Sequence, residues 1–129
     1  LHDWMKYENL ISLYQNMHFL LLARDTNQMT LSNFPSKVPE VMTYGVVPVV
    51  SRVGDYTKYY LKDGVNSVVF EGSDANSCAK AIRRAMSFSE DEYIEISSKA
   101  RECVERQFDY HNWTKKIKQA IESMYSENE

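Results

Sequence analysis

Three short segments with apolar interiors and no alternation, FLLLA at 19–23, VVPVVS at 46–51 and SVVFE at 67–71, most constrain what this chain can fold into. A strand with one face in water alternates apolar and polar residues. A run without alternation suits a strand covered on both faces, as in a parallel sheet. The segments between the runs carry a helical period instead. In 7–16, Tyr7, Leu10, Ile11, Leu13 and Tyr14 share one face, and the first strand is expected over 18–23. Residues 24–35 are polar and read as an irregular loop. A helix then opens at Ser36 or Val38, tolerates Pro39 in its first turn, and closes at Gly45, which can adopt the left-handed cap.

Pro48 has no N–H to give a sheet, so the second strand is expected to begin there. Gly54-Asp55 reads as a loop, 56–61 as a short helix, 62–66 as a turn around Asp63-Gly64, and 67–71 as the third strand. Asp74 caps a helix whose Cys78, Ala79, Ile82, Ala85 and Met86 share a face. Ser89 with Glu92 forms a capping box for a helix reaching about Gln107. A last helix starts near Asn112 and is expected to bury Trp113, Ile117, Ala120, Ile121 and Met124. Helices and strands in alternation imply right-handed crossovers and an α/β fold: a parallel sheet with helices on both faces, ending in a three-helix segment.

Size and charge narrow the function. At 129 residues this is one domain or part of one, and 43% apolar with 26% charged residues is an ordinary globular composition. A net charge of −3 without a basic stripe argues against nucleic-acid binding. No apolar run approaches membrane-spanning length, and the first residues lack the order of a signal peptide. Cys78 and Cys103 have no metal or redox spacing and read as buried or inert thiols in a reducing, cytoplasmic setting. His2, His18 and His111 are too far apart to suggest a metal site. No strand precedes 18–23 and the first residue is Leu1, so the chain reads as cut from something longer.

In open parallel sheets ligands bind outside the carboxyl ends of the strands. The segments after the first two strands bring Arg24 and then Arg52, Gly54 and Asp55 to that edge, and the helix beginning around Ser36 points its amide end the same way. Amides and a helix dipole favour an anion there. Lys37 adds a charge, Arg24 can add a two-pronged one, and Glu40 could accept two hydrogen bonds from a vicinal diol such as a ribose. Each has a plainer reading. Glu40 complements a helix dipole, Lys37 is solvated, Arg24 pairs with Asp25 or Asp55, and Asp55 caps the following helix.

What makes the pattern specific is its order. The stretch FPSKVPEVMTYGVVPVVSRVGDYTKYYLKDGVNSVVFEGSDANSCAKAI, with the tail ARECVERQFDYHNWTKKIKQAI, resembles the C-terminal half of nucleotide-sugar glycosyltransferases with two Rossmann-like domains, the B fold. It is most similar to the large retaining family of group 1 glycosyltransferases, and the likeness runs over residues 2–126. The resemblance implies a site for a nucleoside diphosphate sugar. Glu40 takes the place of the second glutamate of the family's E-x7-E pattern, which holds the ribose hydroxyls. Lys37 and Arg24 come near the diphosphate, Ser36 stands in the P-[ST]-K motif, and Gly54 matches the glycine that lets backbone approach the sugar donor. The first glutamate of the pattern falls at Ser32, Ser67 stands where the family has glycine, and two residues separate Gly45 from Pro48.

No catalytic residue carries over. The resemblance implies a sugar-nucleotide substrate with no metal and no other cofactor, and a glycan or lipid-linked acceptor held by an N-terminal domain that these residues do not contain. It places the protein in the cytoplasm or at the inner membrane face through that domain, building polysaccharide or glycan, with this part alone inactive. The last helix, which in this fold crosses to the other domain, could instead pair with a second copy. Two other readings stand beside this one: a sugar-nucleotide epimerase-like enzyme of the same fold, and a non-catalytic interaction module.

Overall fold

A computed structural model describes residues 4–126; His2 lies outside them. Its elements run α1 (Tyr7–Gln15), β1 (Phe19–Leu22), α2 (Gln28–Ser32), α3 (Lys37–Met42), β2 (Val47–Ser51), α4 (Gly54–Tyr59), β3 (Val68–Phe70), α5 (Ala75–Met86), α6 (Glu90–Gln107) and α7 (His111–Ser126). The three strands are parallel, in the order β1-β2-β3. Leu20 faces Pro48 and Val50 faces Val69. This is the expected Rossmann-like α/β arrangement.

Alternate residues of the strands feed two cores. On one face Val50, Val69, Leu20 and Leu22 meet Val38 and Met42 of α3, Tyr56 of α4, and Ala100, Cys103 and Val104 of α6. On the other, Val49, Val68, Phe70 and Phe19 meet Cys78, Ala81 and Ala85 of α5. Tyr14 of α1 packs with Val41 and Val46 beside the first core. Asp74 and the Ser89–Glu92 box cap α5 and α6 as expected.

Five expectations are corrected. First, β2 begins at Val47 rather than Pro48. The Val47 amide donates to His18 O of the β1 side and the Arg52 amide to Phe70 O of β3, so odd amides face β1 and even ones face β3. Pro48 is even, and β3 begins only at Val68, opposite Val49. Its nitrogen points past the end of β3, where no bond is lost.

Second, the segment 24–35 is not wholly irregular, because Asn27 and Thr30 form a reciprocal capping box that opens α2. Third, Gly54 and Asp55 are not a loop: they make the first turn of α4, whose N-cap is Val53 with no side-chain cap bond. Asp55 therefore caps nothing there. Fourth, β1 is not covered on both faces along its length, since Leu21 is 46% exposed at the edge of the sheet. On α5 the buried positions are Ala81 and Ala85, while Met86 points outward at 76% exposure.

Fifth, α7 forms but the apolar positions expected to be buried are not. Trp113, Ile117, Ala120, Ile121 and Met124 are all exposed, while Asn112 and Trp113 tie the first turn of the helix to the Glu105, Arg106 and Gln107 carbonyls at the end of α6. The shorter differences are at helix and strand ends, such as β3 spanning Val68–Phe70 within the expected 67–71.

Candidate functional site

Chain reversal after β1 and β2 brings the polar ends of both strands together at the carboxyl edge. Ser51, last in β2 and fully buried, is the fastener. Its Oγ accepts from the Arg24 amide at 2.8 Å and donates to the Arg24 carbonyl at 2.9 Å. This fixes the backbone of Arg24 just past the end of β1. The guanidinium donates from Nη2 to Asn33 Oδ1 at 3.3 Å, and Nη1 is buried with no partner.

Lys37 and Glu40 meet on the opening turn of α3, three residues apart as helix geometry requires. Lys37 Nζ donates to Glu40 Oε2 at 3.0 Å and to the Tyr14 hydroxyl at 2.7 Å. The Tyr14 hydroxyl and then Glu40 raise the lysine above its ordinary 10.5, so its charge is held. Glu40 is half-buried and Lys37 exposed. Ser36 precedes them as the N-cap, exposed, and its side chain makes no cap bond. With six residues α3 offers only a short dipole, so the positive potential of this edge rests on side chains.

Arg24 lies on the same side of the sheet as that turn. It follows β1, whose Leu20 and Leu22 enter the core containing Val38 and Met42 of α3; its guanidinium holds Asn33, and the adjacent Phe34 packs on Tyr56 of that same core. No hydrogen bond joins Arg24 to Lys37 or Glu40. The remaining candidates are dispersed. Ser32 ends α2 and Asp55 lies in the first turn of α4, both exposed.

Gly54 adopts φ +74°, and a Cβ there would stand 3.1 Å from Thr30 O and 3.6 Å from Leu31 O. The backbone it admits is that of α2. A concavity of about 480 Å³ lined by Arg52, Gly54, Thr57, Lys58, Leu61, Lys62 and Asp63 adjoins it; Arg24, Lys37 and Glu40 do not line that space. Among the described residues no group of three or more His, Cys, Asp or Glu side chains converges as metal ligands would, and no helix is long and apolar enough to cross a membrane.

Sequence reasoning did not anticipate Tyr14, Asn33, Ser51 and Tyr56. Ser51 alone left a signal, as the one hydroxyl at the carboxyl end of an otherwise apolar central strand.

The family model of group 1 glycosyl transferases matches residues 1–105. Among solved structures, the sucrose-phosphate synthase of Thermosynechococcus elongatus is similar at a TM-score of 0.77 and 18% identity, covering 95% of this chain and 29% of that one. The likeness extends to the glycosyltransferase B fold, and the chain spans under a third of that structure's length. No curated protein sequence matches the chain significantly.

Proposed function

The chain belongs to the group 1 glycosyltransferases, and on that premise we propose that its carboxyl edge binds a nucleoside diphosphate sugar. One observation carries the reading: a held lysine and a half-buried carboxylate share the opening turn of α3, whose Val38 and Met42 pack in one core with Tyr56, and Asn33 and Phe34 link Arg24 to that core. In this reading Glu40 accepts hydrogen bonds from the two ribose hydroxyls. Lys37 occupies its Oε2 and leaves the lone pairs of Oε1 for the diol. Arg24 and Lys37 face the diphosphate.

Glycosyl transfer breaks the bond between the anomeric carbon and a phosphoryl oxygen. The leaving diphosphate gains a negative charge, and fixed cations stabilise it without reorganising. Arg24 is the better placed of the two, because its main chain is clamped by Ser51 and its fork of N–H groups matches phosphoryl oxygens. The chain spans 29% of the similar solved structure, so we assign the glycan or lipid-linked acceptor to a further domain, with the product a polysaccharide or other glycan. Two free thiols, Cys78 and Cys103, fit a reducing, cytoplasmic compartment. On its own the chain binds the sugar donor without transferring it.

Losing a hydrogen bond to a charged group costs roughly 1.5–3 kcal/mol, or about 10–150-fold in affinity. Calorimetry with UDP, GDP and ADP should show one of them binding, and Glu40→Ala weakening that binding on this scale. Unchanged affinity in Glu40→Ala would remove the ribose role.

A further inference from the structure

Among the described residues, two polar side-chain atoms lie in the interior without a hydrogen-bond partner. Tyr56 is 1% exposed and its hydroxyl makes no hydrogen bond; Nη1 of Arg24 is likewise buried and unpaired. An unsatisfied buried hydroxyl costs about 1–3 kcal/mol, and an unsatisfied charged group more. Such atoms are few in folded proteins, and two in one place call for a physical reason.

Their surroundings are tightly fixed. The Arg24 backbone is clamped at both its N–H and its carbonyl by Ser51. The Tyr56 ring is set in the core with Val38 and Met42, and Phe34 stands edge-on to it with centroids 6.2 Å apart. Asn33, which holds Arg24, is followed by Phe34, which packs on Tyr56, so the two groups are neighbours. Burial pushes the phenol up, and the Arg24 guanidinium pulls against that rise through its charge and a hydrogen-bonding approach that stops short of a well-formed bond. On the outward side Nη2 holds only the Asn33 side-chain oxygen, at 3.3 Å and on the exposed surface. That is a long bond, near the outer limit for N–H···O.

We infer that Tyr56 is a positioning residue for Arg24: its buried phenol oxygen is the acceptor for Nη1 when the guanidinium turns onto the diphosphate of the bound nucleotide. The inference rests on the sugar-donor reading above. A guanidinium offers five N–H groups in a fixed plane. With Nη1 anchored inward, the Nε and Nη2 edge is left facing outward, and its parallel N–H pair matches two phosphoryl oxygens. An anion displaces the weak bond to Asn33, and the same rotation closes the gap to the phenol. Phenylalanine would fill the space against Phe34 equally well but leave Nη1 buried without an acceptor.

The test is a double-mutant cycle on this chain, read by calorimetry with UDP, GDP and ADP in parallel, over Tyr56→Phe, Arg24→Gln and the pair together. Tyr56→Phe should weaken binding about 3- to 10-fold, the scale of one ordinary hydrogen bond. Arg24→Gln should cost more, and the double variant no more than Arg24→Gln alone. The Arg24 Nε–H resonance of the nucleotide-bound wild-type chain should shift in Tyr56→Phe. Effects that add in the double variant would mean that Tyr56 acts independently of Arg24, and would overturn the inference. Wild-type affinity in Tyr56→Phe, with binding weakened about 10–150-fold in Glu40→Ala, would overturn it while leaving the sugar-donor site standing. If none of the three nucleotides binds the wild-type chain, both fall together.

Discussion

Lys37 is visible in the sequence only as a cation near a glutamate, yet its ammonium is committed to two partners, Tyr14 and Glu40. The Glu40 contact is legible because residues three apart share a helix face. The Tyr14 contact is not, because it joins residues 23 positions apart through the packing of α1 against α3. The folded-state value of Lys37 is raised, so its contribution to stability is complete below the ordinary value of 10.5 and fades as pH rises through the folded one. Denaturation between neutral and strongly alkaline pH should therefore lose a small increment in the wild-type chain that is absent in Lys37→Met. Gly54 gives a second residue-scale expectation. Its φ of +74° and the Thr30 carbonyl 3.1 Å from any Cβ should make Gly54→Ala destabilising by more than about 1 kcal/mol, measured by urea unfolding. The sequence motif assigns this glycine to a ligand's approach; the fold assigns it to the packing of α2.

Among the elements, strands and capped helices were legible and the connections between them were not. The three apolar runs each became a strand, and Asp74 and Ser89 each opened a helix, because these signals are local. Pro48 misled by one residue, since whether a missing N–H matters depends on which neighbour that amide faces. The short helix α2 was hidden in a polar segment for the opposite reason: its stability comes from a side-chain box rather than from an apolar period. In α7 the apolar period of Trp113, Ile117, Ile121 and Met124 was real, but a period says only that a face exists and not that anything covers it. With its apolar face exposed, a 16-residue helix is marginal. Amide hydrogen exchange should accordingly show α7 losing protection long before β2, and Ile117→Asp should leave the main unfolding transition where it is. Protection of α7 equal to that of β2 in a monomer would show a packing partner within the chain.

For the whole molecule, the two cores explain why a site exists at this edge at all. The strands and α3 share the core of Val50, Met42 and Tyr56, and that shared packing holds the opening turn of α3 and the clamped Arg24 on one side of the sheet. The same architecture leaves β1 as an edge strand with Leu21 half in water. Fold class and family were readable from the order of motifs, because order along a chain with short crossovers fixes which loops become neighbours. The pairing of Arg24 with Ser51 and Asn33, and its nearness to Tyr56, was not, because it is set by the register of β1 on β2 and the placement of α4.

All of this turns on whether cations and one carboxylate, gathered where β1 and β2 end, grasp a nucleotide. The direct measurement is a nitrogen-15 shift map of the labelled chain titrated with UDP, GDP and ADP. Saturable shifts confined to Arg24, Asn33, the turn from Ser36 to Glu40 and the start of α4, with one of the three, are the predicted result. Shifts confined to α5 and the opposite sheet face, or no response to any of the three, would contradict it.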